Sequence, residues 1–180
     1  MEIRRVVTGH SAEGKAVFVS DEAVPPIELA LLPGMEFHRL WGADETLHLP
    51  DDGSPPSMPA YFPPVGGFRV GLFTVPPSTT SADLSTIDVA AALEEMERAL
   101  PGLAGHMEPD DPGMHTTATV DFEFVVSGRC QLELDDGEIR EIGPGDTVVQ
   151  NGTRHRWLNP YDEPCRLIVV LVGAHHDQVS

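Results

Sequence analysis

Residues His115–Val126 alternate between two kinds of side chain, and a β-strand is the regular structure that sorts such a pattern onto two faces. One face carries His115, Thr117, Thr119, Asp121 and Glu123, and the other carries Val120, Phe122, Phe124 and Val126. Two placements produce this alternation. A surface strand turns its polar face to water, and a barrel strand turns the same face toward an enclosed pocket.

The rest of the chain is punctuated for many short strands. Its 17 prolines and 17 glycines are spread along 180 residues, a length that suits one domain with a real core. Further strands are expected at Ile3–Val7, Ala16–Ser20, Glu36–Trp41, Phe68–Val75, Arg129–Leu134, Glu138–Ile142, Asp146–Gln150, His155–Leu158 and Cys165–Val172. Asp135-Asp136-Gly137 marks a hairpin between two of them. Between residues 49 and 64 lie six prolines (Pro50, Pro55, Pro56, Pro59, Pro63 and Pro64), a loop either draped over the barrel or mobile. One helix is expected at Thr86–Leu100, capped by Ser85 or Thr86 and ended by Pro101-Gly102. Its apolar stripe of Ile87, Ala90, Ala91, Leu93, Met96, Ala99 and Leu100 reads as packing onto a sheet. The expected organisation is one all-β domain over 1–180, an antiparallel barrel. Strands, Pro-rich loop and helix of 1–108 pack on it, 109–172 form its core, and 173–180 are a tail.

A second segment, Pro144–Asn159, makes the pattern specific. Together with His115–Gly128 it resembles the paired motifs of the cupin family. In the first motif His115 matches the leading histidine, Asp121 takes the place of the glutamate, and Gly128 follows seven residues on. In the second, Gly145, Gly152, His155 and Asn159 match. Three departures stand out: Thr117 replaces the second histidine, Asp121 is a carbon shorter than glutamate, and Gln150 replaces a proline. Pro109 also stands at the upstream glycine position. The resemblance covers about residues 109–172. It implies a double-stranded β-helix, or jelly roll, and reduces the family's metal site to His115, Asp121 and His155.

Two imidazoles and a carboxylate match the facial set of non-haem Fe(II) sites, and the same set suits Zn²⁺, Mn²⁺ or Ni²⁺. The resemblance implies a metal-dependent oxygenase of a small organic molecule, with His115, Asp121, His155 and Glu123 as catalytic groups. Thr117, Thr119, Gln150 and Trp157 are the expected substrate pocket. The alternative is a metal-free or zinc-type lyase, isomerase or cyclase, or a barrel that only binds a ligand. Without metal, His115 or His155 serves as the acid–base group and Asp121 fixes its tautomer.

Charge bounds the partners. With 29 acids against 11 bases the net charge is −18, which repels nucleic-acid phosphates and anionic lipid. No apolar run approaches the ~20 residues of a membrane helix, and Met1–Val7 does not read as a secretory leader. Cytoplasmic location, with Cys130 and Cys165 as buried free thiols, is expected. If Asp121 and Glu123 point inward, then Val120, Phe122, Phe124 and Val126 point outward and need cover. The N-terminal strands, the helix and a second copy of the chain are the expected sources, giving a homodimer.

Overall fold

A computed structural model describes residues 2–80 and 87–177 of the chain. It contains ten strands and one α-helix among those residues. The strands are β1 (Arg4–His10), β2 (Ala16–Ala23), β3 (Phe37–Ala43), β4 (Phe68–Val75), β5 (Thr119–Ser127), β6 (Cys130–Glu133), β7 (Ile139–Ile142), β8 (Thr147–Asn151), β9 (Arg156–Leu158) and β10 (Cys165–Gly173). A five-stranded sheet runs β3-β4-β10-β5-β8, a three-stranded sheet runs β7-β6-β9, and β1-β2 form a separate ribbon. All pairings are antiparallel, as expected for the jelly-roll barrel.

Alternation decides what each strand buries. Along β10, Leu167, Val169 and Leu171 are buried while Ile168 is exposed between them. Leu167 pairs with Phe73 on one side and Val125 on the other, and these three join Val75, Cys130, Ile142 and Cys165 in one core cluster. Both cysteines are buried free thiols. Gly128, the motif glycine, sits at φ 72°, where a Cβ would lie 2.3 Å from the Pro164 carbonyl oxygen. The turn into β6 therefore requires glycine. Asn159, the motif asparagine, is structural. Its Nδ2 donates to the carbonyls of Val75 (2.9 Å) and Glu163 (2.8 Å), and its Oδ1 accepts from the Tyr161 amide (3.0 Å).

The helix, α1 (Val89–Ala99), is shorter than its apolar stripe suggests. Asp88 is its N-cap, accepting from the Ala91 amide at 3.1 Å, and the expected caps Ser85 and Thr86 lie outside the described residues. Only Ala92 and Met96 of the helix are fully buried, with Leu100 just beyond it, whereas Leu93 is exposed. Helix α1 contributes Met96 to the core beside Leu29, Phe37 and Phe73. The helix does not cover the outer face of β5, where Phe122 and Phe124 remain about half exposed.

The long strand expected from His115 begins only at Thr119. His115 instead forms an isolated bridge with His155 and another with Met107. The Pro-rich loop is draped and pinned. Arg39 donates to the carbonyls of Met58 (2.6 Å) and Ala60 (3.0 Å), and Arg69 donates to Ala60 as well. Among the described residues no helix is long and apolar enough to cross a membrane.

Truncating the central core side chain, Leu167→Ala, is expected to cost about 2–5 kcal/mol, because a close-packed site collapses only partly around the cavity. Leu93→Ala on the exposed side of α1 should stay within about 0.5 kcal/mol. Urea unfolding of the two variants checks both figures, and equal losses would contradict this account of the core.

Candidate active site

Between the two sheets lies a cavity of ≈ 160 Å³. Its polar floor is His115, Thr117, Asp121, Glu123 and His155. Its apolar walls include Phe37, Tyr61, Phe62, Phe73, Met107 and Trp157, and among the described residues no lysine or arginine lines it. The alternation of His115–Val126 thus resolves as a barrel interior. Asp121 and Glu123 are 4% and 5% exposed, respectively.

The two histidines meet through the backbone. The His115 amide donates to the His155 carbonyl and the His155 amide to the His115 carbonyl, both at 3.0 Å. Their rings stand 4.1 Å apart between centroids. His115 Nδ1 lies 3.0 Å from the Gly113 carbonyl and His155 Nδ1 lies 2.9 Å from the Thr153 carbonyl. A carbonyl only accepts, so each Nδ1 carries the proton and each Nε2 keeps its lone pair. Backbone carbonyls therefore fix the tautomers, a role expected of Asp121. Burial lowers the pKa of both rings, and for His155 burial together with neighbouring His115 brings it down to about 3. Both imidazoles are neutral at pH 7.

Arginines on either side of His155 clamp this arrangement. Arg154 donates to Glu108 (2.7 and 2.8 Å), Asp111 (2.7 Å) and Asp135 (3.0 Å). Arg156 donates to Asp111 (2.9 Å) and to both oxygens of Glu133 (2.8 and 2.9 Å). Bidentate guanidinium–carboxylate pairs fix orientation as well as distance. The segment carrying His115 is thereby held against the segment carrying His155, just before β9.

The carboxyls on β5 are set apart by their surroundings. Burial pushes Asp121 up to about 6, against a lowering by the Thr119 hydroxyl. Burial, and then the charge of Asp121, push Glu123 up to about 8. At pH 7 the pair therefore holds about one proton, on Glu123, and Asp121 is mostly ionised. Among the described residues Asp121 Oδ1, Glu123 Oε2 and Gln150 Nε2 are buried without a hydrogen-bond partner. Each such orphan costs about 1–3 kcal/mol, which a polar group on a ligand can offset.

Of the expected pocket residues, Thr117 and Trp157 line the cavity, while Thr119 and Gln150 are buried beside it. Thr117, at the position of the second histidine, is bonded hydroxyl to hydroxyl with Thr119 at 2.8 Å. Gln150 pairs across the ladder with Asp121. Trp157 stands edge-on to His155 at 6.0 Å and tilted against Phe73 at 5.8 Å. Sequence reasoning missed Tyr61 and Phe62, which reach the cavity from the Pro-rich loop, and Leu32, Met35, Leu103 and Met107 around its rim. Phe62 also packs on His106, 4.5 Å between ring centroids. The one available signal was an aromatic pair inside a loop too rich in proline to be a strand.

The proposed metal ligands His115, Asp121 and His155 all face this cavity. Among the described residues, however, no three His, Cys, Asp or Glu side chains come together as a metal-binding group. Two imidazoles adjoin, and the carboxyls lie farther along β5. As arranged, these donors do not make a three-ligand centre.

Residues 105–171 match the model of the Cupin domain family. A curated relative, Oryzines biosynthesis cluster protein J of Aspergillus oryzae, is 48% identical over 50 residues, 28% of this chain and 28% of that protein. The alignment thus spans little more than a quarter of that relative. A longer alignment, to the cupin-domain-containing oxidoreductase srdB of Neurospora crassa, is 25% identical over 175 residues, 93% of this chain and 72% of that one. Among solved structures, a Cupin 2 conserved barrel domain protein from Salinispora arenicola is 20% identical, with a TM-score of 0.40 over 82% of each chain.

The raised carboxyl values carry a sign. Between pH 6.5 and 8 the folded protein holds protons on Glu123 and Asp121 that the unfolded chain has already released. Stability therefore falls as pH rises through this window, by about 1–2 kcal/mol. Chemical denaturation across that range should show the decline in the wild type and a flatter profile in Glu123→Gln.

Proposed function

We propose that this protein, whose residues 105–171 match the model of the Cupin domain family, is an enzyme of a small, neutral, largely apolar organic molecule, with Asp121 as the general base and Glu123 as the general acid. The observation that carries the reading is this adjacent pair of buried carboxyls, held near 6 and 8, on the floor of an apolar cavity without a cation. A phosphate or carboxylate substrate would enter that cavity against Asp121 with nothing to balance its charge. An enolisable carbonyl compound suits the same groups. Asp121 takes the proton from the carbon beside the carbonyl while Glu123 gives its proton to the carbonyl oxygen, and the reverse transfers restore both groups. The Nε2 atoms of His115 and His155 accept hydrogen bonds from a hydroxyl on the substrate, and Tyr61, Phe62 and Trp157 supply flat apolar contact. Isomerase, cyclase and lyase reactions all begin with such a step.

The cupin-domain oxidoreductase name of the Neurospora relative supports a small-molecule enzyme and favours a second reading. There His115 and His155 would have to hold a divalent ion (iron, zinc, manganese or nickel) with ligands other than the carboxyls as they stand, and that ion would supply the redox or Lewis-acid chemistry of an oxygenase.

One experiment separates the two. Protein purified without a polyhistidine tag is incubated in D₂O with 2-tetralone, a neutral bicyclic ketone, and loss of the protons beside the carbonyl is followed by NMR. We expect exchange at least 10²-fold above buffer, in line with positioned general acid–base catalysis. It should be unchanged by chelator and fall about 10²-fold in Asp121→Asn. Exchange that disappears with chelator and returns with one equivalent of metal would establish the second reading instead, and exchange no faster than in buffer would overturn the carboxyl-pair proposal.

A further inference from the structure

Beside the barrel cavity lies a larger cleft of ≈ 520 Å³, which the site described above does not use. Pro63, Pro64, Val65 and Pro101 form its apolar side, and Asp44 and His106 are among its polar groups. Among the described residues Phe62 is the one side chain that lines both compartments. Its ring is backed by the His106 ring at 4.5 Å and stands edge-on to Tyr61 at 4.9 Å. The backing ring is itself fixed, since His106 Nδ1 donates to the Gly102 carbonyl at 2.9 Å. The chain on either side of Phe62 is pinned as well. Before it, the Tyr61 amide donates to the Pro101 carbonyl at 2.9 Å. After it come Pro63 and Pro64, whose fixed φ stiffens the backbone. Gly173, at the end of β10, packs so closely there that a Cβ would lie 1.9 Å from the Pro64 carbonyl oxygen. At the start of β5 a second contact stands between the compartments, where the hydroxyls of Thr117 in the cavity and Thr119 in the cleft meet at 2.8 Å.

We propose that Phe62 determines which substrates the protein accepts: it is the fixed end wall of the cavity, and it limits the substrate to a single ring or a compact fused pair without a chain. The inference rests on the reading of the cavity as the substrate site, and not on the roles of Asp121 and Glu123. Volume sets the limit. An apolar cavity of about 150 Å³ takes up benzene, and the ≈ 160 Å³ here leaves no room for a chain behind the ring. Removing the Phe62 ring joins the cavity to the cleft, whose proline and valine walls then take an alkyl chain out of water. Phe37, Tyr61, Phe73 and Trp157 line the cavity but not the cleft, so among these aromatic walls the effect belongs to position 62.

The test is an NMR titration of the full chain with two neutral ketones that share one head, acetophenone and 4′-pentylacetophenone. The indole N–H of Trp157 reports binding, because Trp157 lines the cavity, and the other tryptophan, Trp41, serves as reference. The wild type should bind the shorter ketone at least about tenfold more tightly than the longer one. In Phe62→Ala the longer ketone should tighten by about tenfold or more, since each methylene that enters the cleft leaves water, while the shorter one changes by no more than about threefold. Phe62→Leu, which keeps apolar bulk at the wall, should gain less, and it decides the matter if circular dichroism shows the alanine variant unfolded. Phe73→Leu enlarges the cavity on a wall the cleft does not share and should still exclude the longer ketone. A wild type that binds both ketones equally overturns the proposal. So do folded Phe62 variants that still exclude the longer ketone, or a Phe73→Leu variant that admits it as well as they do. No Trp157 shift with either ketone removes this proposal and the substrate site together. Length discrimination without proton exchange in D₂O removes only the acid–base roles and leaves Phe62 as the wall.

Discussion

The register of β5 between β10 and β8 decides both surfaces of this protein at once. Asp121 and Glu123 lie opposite Gln150 and Val148 on one side and Leu171 and Val169 on the other, all facing the interior. A shift of one residue would send both carboxyls to solvent and put Phe122 and Phe124 in their place. The buried acids therefore persist because the apolar residues around them hold the strand in register. Their desolvation is a cost met by Leu167, Val169, Leu171 and Val125 on the same side of the sheet.

That cost is also what gives the site its chemistry. An exposed pair of carboxylates would ionise together near pH 4 and neither could act as an acid at neutral pH. Enclosed side by side, Asp121 and Glu123 separate into a base and an acid. The histidines take the complementary part, since burial and the carbonyls of Gly113 and Thr153 hold them neutral with Nε2 free. Arg154 and Arg156 keep this geometry from outside the cavity through four acidic partners, so much positive charge serves the floor without entering it.

The part of this that was legible in the sequence is the part with a period. Alternation in 115–126, the Asp-Gly hairpin between β6 and β7, and the spacing of Gly128, His155 and Asn159 located the barrel and its floor. What was not legible depends on segments without a period. Tyr61 and Phe62 become cavity wall because Arg39 and Arg69 hold the adjoining carbonyls, contacts between residues 9 to 21 positions apart. The helix cap was misplaced because Ser85, Thr86 and Asp88 are equally good N-cap types, and only the bond to the Ala91 amide selects Asp88. His115 lies before the strand proper, so its partner is His155 by a backbone bridge rather than Asp121 by alternation. This difference places the imidazoles together and the carboxyls apart from them.

The central claim is that the two buried carboxyls keep one proton at neutral pH, on Glu123, while Asp121 is mostly ionised. It is tested most directly by infrared difference spectroscopy of the protein titrated between pH 5 and 9. The account predicts a protonated carboxyl stretch that persists at pH 7, is lost with a midpoint near 8, and is missing in Glu123→Gln. Complete ionisation of both carboxyls by pH 5 would contradict it.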